Sequence, residues 1–344
     1  MTEIDTLVRE NVRKLIPYSC ARDEFTGKEG IFLDANENPY GFLNRYPDPY
    51  HKDLRSAISK FKGVSFDNIF LGNGSDEIID LCYRIFCTPG TDKALTLYPS
   101  YGMYEVSASV NDVDIVKVPL MRNFQIDTSR IIDTTTNDEK IKLMFICSPN
   151  NPTGNCFDTE DIESIISSFK GIVVIDEAYA DFSSKPSFRQ KIGTYPNLIV
   201  MQTFSKAFGL AAARIGMAFA NEKIINYLYK VKPPYNISTI NQQAALKKLT
   251  ETGAVRKDIN NILFERERLR ESLAKLDIVE NIFPSDTNFL LVKVKDADYI
   301  YNNLISKKVI VRNRTRLVFN CLRITVGTPA ENDELLNALK TIVI

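Results

Sequence analysis

Leu198-Ile-Val-Met201 runs directly into Gln202-Thr-Phe-Ser-Lys206-Ala-Phe-Gly209, and the fold prediction starts from these residues. The apolar run predicts a buried strand of a parallel sheet. Lys206 then lies just past the end of that strand, and open α/β sheets bind ligands beyond the carboxyl ends of their strands. A lysine there can be desolvated, which lowers the pKa of its amine and makes it nucleophilic. The alternative is a surface lysine on a loop.

Two strands upstream end in polar residues in the same way. The apolar run Leu143–Ile146 precedes Asn151, and the run Ile172–Ile175 precedes Asp176. Predicted helices separate the strands, and strands that alternate with helices indicate parallel βαβ units. We therefore expect Asn151, Asp176 and Lys206 to meet at one edge of one sheet.

Two further features favour a bound phosphate. The stretch Gly72-Asn-Gly-Ser-Asp-Glu77 begins a predicted helix, whose first backbone N–H groups suit an anion. It lacks the third glycine of a dinucleotide fingerprint and the Gly-Lys-Ser/Thr of a P-loop, and an ordinary glycine-rich turn is the alternative. Arg214, eight residues after Lys206, offers a guanidinium group for the same phosphate.

Together these residue types predict a site for pyridoxal 5′-phosphate (PLP). Lys206 would bind the cofactor covalently, and Asp176 would pair with its ring nitrogen and keep the ring an electron sink. Asn151 and Tyr179 can hydrogen-bond the phenolate oxygen of the cofactor, and Tyr101 can stack on its ring. The other candidate cofactor-binding residues are Gly74, Ser75, Asp76, Thr203, Ser205 and Arg214.

Composition limits the chemistry. Lys+Arg and Asp+Glu both number 43, so the chain has no global charge that favours nucleic acid or an acidic membrane. The six cysteines include no CxxC pair and predict buried free thiols of a reducing compartment. The one histidine, His51, is predicted to be solvated at a helix start, which argues against histidine-based catalysis and a metal site.

The 344 residues fit one large and one smaller domain. We predict an α/β fold in three parts. Residues 1–30 form an N-terminal arm or a part of the small domain, residues 31–235 a large PLP-binding domain with a mostly parallel central sheet flanked by helices, and residues 236–344 a small C-terminal α+β domain. The N-terminus lacks the layout of a signal peptide, and no apolar run reaches membrane-spanning length. We therefore expect a soluble, cytoplasmic protein.

The small domain is predicted to contain strands at Val309–Val311 and Cys321–Val326. Arg312, Arg314 and Arg316 alternate directly after the first strand, so only some of them should point inward. Surface solvation is the alternative for Arg314 and Arg316.

The motifs resemble those of the fold-type-I, aspartate-aminotransferase-like PLP enzymes. The resemblance rests on Ser148-Pro-Asn-Asn-Pro-Thr-Gly154, Asp176-Glu-Ala-Tyr179, and Ser205-Lys-Ala-Phe-Gly209 with Arg214-Ile-Gly216. Within this superfamily the chain is most similar to the histidinol-phosphate aminotransferases. That narrower similarity rests on Leu33-Asp-Ala-Asn-Glu-Asn-Pro39, Asn44-Arg-Tyr-Pro47, Gly72–Glu77 and Asn320-Cys-Leu-Arg-Ile-Thr-Val-Gly327.

The resemblance implies a homodimeric enzyme of histidine biosynthesis. It implies transfer of an amino group between L-histidinol phosphate and 2-oxoglutarate, which gives imidazole acetol phosphate and L-glutamate. Lys206, Asp176 and Tyr179 would be the catalytic residues.

The resemblance also implies roles for residues outside the cofactor motifs. Tyr46 would reach the cofactor phosphate of the neighbouring subunit. Arg323 would bind a substrate carboxylate, and Arg312 would form a second anion site. Tyr18 and Asn36 resemble residues of the substrate mouth.

Three alternatives stay open at this point. An aromatic amino-acid aminotransferase or a threonine-phosphate decarboxylase would use the same scaffold. A non-catalytic PLP-binding regulator is disfavoured, because residues 1–30 are too short and too weakly basic for a DNA-binding domain and because Lys206 is present.

Overall fold

The structure, a computed structural model, describes residues 3–19 and 30–343. Its larger sheet contains β1 (Ile69–Asn73), β2 (Lys93–Tyr98), β3 (Asp114–Pro119), β4 (Ile141–Cys147), β5 (Ile172–Asp176), β6 (Leu198–Thr203) and β7 (Ile215–Ala220). Among the described residues these seven strands have the order β1-β7-β6-β5-β4-β2-β3. β7 is antiparallel to both of its neighbours, and the other pairs are parallel. The prediction of a mostly parallel sheet is confirmed.

The strands of this sheet are apolar throughout because both of their faces are covered. All five residues of β5 are buried. Val173 and Ile175 belong to the hydrophobic cluster on one face, whereas Ile172 and Val174 belong to the cluster on the other. This alternation is the period of two that a strand imposes on its side chains.

Helices cover both faces of the larger sheet, and further helices belong to the smaller domain described below. In chain order they are α1 (Ile4–Leu7), α2 (Glu10–Lys14), α3 (Lys52–Lys62), α4 (Ser75–Phe86), α5 (Met103–Val110), α6 (Thr128–Asn137), α7 (Thr159–Ser168), α8 (Glu222–Val231), α9 (Thr239–Thr250), α10 (Thr252–Leu273), α11 (Ala297–Ser306) and α12 (Pro329–Lys340). No helix in residues 3–19 and 30–343 is both long enough and apolar enough to span a bilayer.

A smaller sheet forms the centre of the second core. Its strands are β8 (Val279–Ile282), β9 (Phe289–Val294), β10 (Arg312–Asn313) and β11 (Cys321–Thr325), in the antiparallel order β10-β11-β9-β8. The prediction of a strand at Val309–Val311 is wrong, because the strand begins only at Arg312. After α11 the chain is still turning, with Lys308 at a φ of 62° and Val309 N–H bonded to the carbonyl of Leu304.

One long helix connects the two cores. Val255 in α10 lies in a cluster of the large sheet, whereas Leu269 and Leu273 of the same helix lie in the cluster of the small sheet. The domain boundary that we predict between residues 235 and 236 stays a prediction.

His51 is fully buried, so the prediction of a solvated histidine is wrong. The Asp48 side chain accepts the N–H groups of Tyr50 and Lys52, and this turn directs His51 inward with a φ of 52°. Burial, reinforced by the charge of Lys232, lowers the pKa of His51 to about 3.

The cysteines follow their prediction where the structure describes them. Five cysteines are buried free thiols, namely Cys82, Cys87, Cys147, Cys156 and Cys321, while Cys20 lies outside the described residues.

Candidate active site

A cavity of about 370 Å³ lies where β4, β5 and β6 end, and arginines of the small-sheet domain form part of its wall. Its volume is in the range of small-molecule sites. Most residues that line it were predicted from the sequence as site residues. They are Ser75, Asp76, Tyr101, Cys147, Asn151, Asp176, Ala178, Tyr179, Thr203, Ser205, Lys206, Ala211, Arg214, Arg312, Arg314 and Arg323.

The register of the parallel strands brings the strand-end residues together. Cys147 at the end of β4 is level with Asp176, and Asp176 is level with Met201 of β6. Asn151 follows β4 and Lys206 follows β6, so both reach the same crevice. The structure therefore brings Asn151, Asp176 and Lys206 to one edge of the sheet.

Asp176 is only 3% exposed, and both of its oxygens accept hydrogen bonds. The Tyr104 hydroxyl donates to Oδ2 at 2.7 Å, and the Ala178 N–H donates to Oδ1 at 3.0 Å. Burial raises the pKa of Asp176, and the two donors oppose that effect. They therefore orient the carboxylate and favour its ionised form.

Lys206 has the chemistry of a nucleophilic amine. Its side chain is open to the cavity, yet the surrounding protein and the charge of Arg323 lower the pKa of its amine. The nearby Asp176 opposes this shift. Lys206 Nζ lies 5.7 Å from the centre of the Tyr179 ring. A lowered pKa increases the fraction of unprotonated amine available to react.

Asn151 connects the two domains across the cavity. The Arg323 Nη1 donates to Asn151 Oδ1 at 2.6 Å, and Asn151 Nδ2 donates to the Tyr179 hydroxyl at 3.4 Å. Phe289 of β9 packs edge-on against Tyr179, with ring centres 5.2 Å apart, and lies 5.3 Å from the Arg323 guanidinium. The small-sheet domain therefore closes one side of the crevice.

The start of α4 forms a close-packed cradle. Gly74, with a φ of 78°, precedes the helix, and a Cβ there would lie 2.5 Å from Arg214 Nη2. A Cβ on Gly216 would lie 2.5 Å from Ser75 N. Only glycine at both positions lets the arginine and β7 approach the first N–H groups of the helix, where anions bind.

Asp76 ties this cradle to the neighbouring aromatic residue. Its Oδ2 accepts from Arg214 Nη2 at 3.1 Å, and its Oδ1 accepts from the Tyr101 hydroxyl at 3.2 Å. Thr203 and Ser205 add hydroxyl groups on the same wall, with their oxygens 3.0 Å apart.

Three arginines line the opposite side of the cavity. Arg312 and Arg323 are direct partners across β10 and β11, so they share a face of the sheet, and Arg314 follows Arg312 by the strand period of two. Arg312 is exposed, whereas Arg314 is half-buried. Arg316 is exposed and does not line the cavity. The sequence alternatives are thus resolved: Arg312 and Arg314 face the cavity.

These guanidinium groups lack acidic partners among the described residues. The Nε atoms of Arg314 and Arg323 are buried and have no hydrogen-bond partner in that part of the chain. Burial and the charges of Arg323 and Arg312 lower the pKa of Arg314 to about 10. An anionic ligand would supply the missing acceptors and the missing negative charge.

Four predicted site residues do not line this cavity in the single chain, and one of them, Gly74, belongs to the cradle at the start of α4. Asn36 and Tyr46 lie at a second cavity of about 360 Å³, and the Tyr46 ring stacks on Tyr235 with centres 4.4 Å apart. Tyr18 is 71% exposed beside Pro49. Their assigned roles stay predictions.

Sequence reasoning misses two residues at this site and does not decide a third. Tyr104 and Cys147 lie in apolar surroundings, and nothing in the sequence links either of them to Asp176. The third is Arg314, whose spacing of two residues from Arg312 is the signal that both side chains share one face.

Comparison with known proteins gives a consistent result. Residues 34–339 match the family model described as aminotransferase class I and II. The chain is 51% identical over 343 residues to a histidinol-phosphate aminotransferase of Parabacteroides distasonis. This alignment covers 99% of each chain. It is 49% identical over 345 residues to that of Cytophaga hutchinsonii, which covers 98% of this chain and 99% of the relative.

A solved structure is also similar. It is the histidinol-phosphate aminotransferase from Sinorhizobium meliloti in complex with pyridoxal-5′-phosphate, with a TM-score of 0.80 and 26% identity. The match covers 87% of this chain and 82% of that chain.

Proposed function

The chain belongs to the class I and II aminotransferase family, and we propose that it transfers the amino group of L-histidinol phosphate to 2-oxoglutarate. The products are imidazole acetol phosphate and L-glutamate, and the reaction is the transaminase step of histidine biosynthesis. The family and fold predicted from the motifs are confirmed. The observation that carries the substrate assignment is the cluster of Arg312, Arg314 and Arg323 without acidic partners in a cavity that also holds Lys206 and Asp176.

The residues of the cavity fit PLP. Because Gly74 has no side chain, nothing at this position separates the first N–H groups of α4 from the Arg214 guanidinium. These donors together suit a phosphate dianion. Lys206 would hold the cofactor covalently, and Asp176 would face its ring nitrogen. Asn151 and Tyr179 would hydrogen-bond its phenolate oxygen. When bound, PLP supplies an electron sink for the negative charge that develops at the reacting carbon of the substrate.

The protein side chains have separate tasks in the reaction. Lys206 Nζ, whose pKa is lowered, would take the proton from the reacting carbon of the substrate as a general base. It would then deliver that proton, as a general acid, to the cofactor carbon that carries the transferred amino group. Asp176, held by Tyr104 and Ala178, keeps its negative charge at a fixed position. Such preorganised charge is commonly the largest contribution to catalysis.

The arginines account for the two different substrates. Histidinol phosphate carries a phosphate dianion, whereas glutamate carries two carboxylates, and the guanidinium fork pairs with both kinds of group. Arg323 would contact an anion of each substrate. Arg312 and Arg314 would contact the phosphate of histidinol phosphate and, when glutamate is bound, its second carboxylate. An aromatic amino acid carries only one carboxylate, so it offers this cluster of three cations less negative charge than a phosphate dianion does.

A donor screen tests this function. The visible absorption of the PLP-loaded protein is followed after mixing with histidinol phosphate, phenylalanine, tyrosine or threonine phosphate. We expect the fastest change with histidinol phosphate, and we expect 2-oxoglutarate to restore the first spectrum. A faster reaction with phenylalanine or tyrosine, or release of CO₂ from threonine phosphate, would support one of the alternative enzymes instead.

The exposed apolar residues of the N-terminal region support a homodimer. Ile31, Leu33, Tyr40 and Phe42 are each at least 84% exposed in the single chain. Such a patch is typical of an interface, and a two-fold dimer would bury the same patch on both subunits. Tyr46 lies near this region, which supports the role predicted for it in the partner's site. The cytoplasmic location stays a prediction.

Subunit mixing tests the shared site. One chain carries Tyr46→Phe and the other carries Arg323→Ala. Heterodimers should regain activity in the one site that combines an intact Arg323 with the partner's intact Tyr46. Proven subunit exchange without any gain in activity would place the whole site within one chain.

A further inference from the structure

Tyr104 lies directly behind the Asp176 carboxylate. It belongs to α5, is fully buried, and stacks on Phe145 of β4 with ring centres 4.7 Å apart and planes inclined by 12°. This packing fixes the plane of the ring, and its hydroxyl lies 2.7 Å from Asp176 Oδ2. The hydroxyl cannot turn to water, because none of the residue is exposed.

The direction of this hydrogen bond follows from the surroundings. Burial and the charge of Asp176 raise the pKa of Tyr104 well above its ordinary value, so the phenol keeps its proton. A phenol that keeps its proton donates, and the carboxylate accepts. The bond therefore stabilises the ionised form of Asp176 in a place where burial opposes it.

Tyr104 also contacts the residue predicted to stack on the cofactor. Tyr101 packs edge-on against it, with ring centres 5.5 Å apart and planes inclined by 85°. The Tyr101 hydroxyl donates to Asp76, which in turn pairs with Arg214. One buried ring therefore supports both the carboxylate and the aromatic wall of the cavity.

We propose that Tyr104 is a positioning residue that holds Asp176 ionised and aimed at the ring nitrogen of the cofactor. This inference rests on the proposed function, which makes Asp176 the partner of that nitrogen. Without the hydroxyl, the buried carboxylate keeps only the Ala178 donor among the residues that the structure describes, and the proton shared with the ring nitrogen moves toward the carboxylate. A less protonated ring is a weaker electron sink, so kcat falls while KM changes little.

The chain offers a matched control in Tyr83. This residue is also fully buried, and its ring lies 5.4 Å from the same Phe145. Its hydroxyl donates at 2.8 Å to the main-chain oxygen of Tyr104 and not to Asp176. Tyr83→Phe therefore removes a buried hydroxyl from the same aromatic cluster and leaves both donors of Asp176 in place.

The experiment uses the PLP-loaded enzyme with ¹⁵N at the ring nitrogen of the cofactor. The nitrogen chemical shift reports protonation of the ring, and steady-state assays give kcat and KM for the same samples. In Tyr104→Phe we expect the shift to move toward that of a neutral pyridine. We expect kcat to fall by roughly 10- to 150-fold, the range for one hydrogen bond to a charged group. Tyr83→Phe should keep the wild-type shift and kcat.

The outcomes separate the inference from the proposed function. If wild type fails to bind PLP or to react with an amino donor, the proposed function is wrong. If wild type behaves as expected but the two variants show equal shifts and equal kcat, the role of Tyr104 is wrong. Loss of folding in Tyr104→Phe, with Tyr83→Phe intact, would also contradict it and make Tyr104 a residue of structural stability.

Discussion

The two sides of the cavity satisfy their charges in different ways. On the large-sheet side, Asp176 accepts hydrogen bonds from Tyr104 and Ala178, and Asp76 is paired with Arg214. On the arginine side, formed by Arg312, Arg314 and Arg323, no guanidinium has an acidic partner among the described residues. The charged groups Asp176, Asp76 and Arg214 of the first side have partners within the chain, whereas the arginines of the second side would gain theirs from a bound anion.

This difference matches two kinds of ligand. A resident cofactor is best held by groups that are already oriented, because no reorganisation is then needed during the reaction. Substrates must bind and leave in each cycle, and charges without an internal partner gain most from a ligand that supplies one. We therefore infer that the large-sheet side holds PLP and that the arginine side holds the anions of the exchanging substrates.

The largest expected effect is that of Lys206→Ala. The variant lacks both the covalent link to PLP and the amine that moves the proton, so we expect the rate to fall by on the order of 10⁴-fold or more. The visible band of the covalently bound cofactor should disappear as well. Stopped-flow spectra with histidinol phosphate measure both effects.

A surface lysine provides the control for that change. Lys223 is more than half exposed and pairs with Asp5, so Lys223→Ala should behave like wild type. Turnover of Lys206→Ala at the wild-type rate would show that the lysine of the large-sheet side is not the reactive amine.

Asp176→Asn should have the next largest effect. The neutral amide keeps the size of the side chain but cannot hold the ring nitrogen protonated, so we expect kcat to fall at least about 10²- to 10³-fold. Thermal unfolding of the same sample checks that the fold is retained. Near-normal kcat would mean that this carboxylate does not face the ring.

Arg323→Ala should impair both half-reactions by roughly 10- to 150-fold, because it removes one charge-assisted contact from each substrate. Arg312→Ala should weaken the two substrates unequally. Single-turnover rates with histidinol phosphate and with glutamate separate the two cases. Arg316→Ala is the control, since Arg316 lies outside the cavity. Unchanged rates with histidinol phosphate in both cavity variants would place its phosphate elsewhere.

The smallest effect concerns stability away from the cavity. The pKa of His51 is about 3 in the folded chain, below its ordinary value of 6.5. Below pH 6.5 the unfolded chain binds a proton that the folded chain excludes, so stability falls as pH drops. The slope from this residue approaches about 1.4 kcal/mol per pH unit.

His51→Asn isolates this slope, because asparagine tolerates the positive φ at this position. Urea unfolding of the cofactor-free chain between pH 7 and 5 should show a shallower pH dependence in the variant. Equal slopes in variant and wild type would mean that His51 is accessible to protons when folded.

The sequence predicts those parts of the site that follow local rules. Asn151, Asp176 and Lys206 follow continuous apolar runs, and such runs identify buried parallel strands whose ends share one edge. Tyr104, by contrast, meets Asp176 only through packing of α5 against β4, and the two partners are 72 positions apart in the sequence. No local pattern reports such a contact.

Two errors have the same origin. The sequence around His51 is polar and predicts exposure, but the turn made by Asp48 directs the ring inward. The apolar run Val309–Val311 predicts a strand, but the chain there is still leaving α11 and pairs only from Arg312 onward. In both cases tertiary packing overrides the local pattern.

Arg314→Gln tests most directly whether the large-sheet side binds the cofactor and the arginine side binds the anion of the substrate. Single-turnover rates are measured with histidinol phosphate and with histidinol, which lacks the phosphate, and PLP affinity is measured on the same variant. We predict that the rate with histidinol phosphate falls by roughly 10- to 150-fold, while the rate with histidinol and the affinity for PLP stay at their wild-type values. Weakened PLP binding, with an unchanged preference for the phosphorylated donor, would contradict the account, because it would place the cofactor and not the substrate on the arginine side.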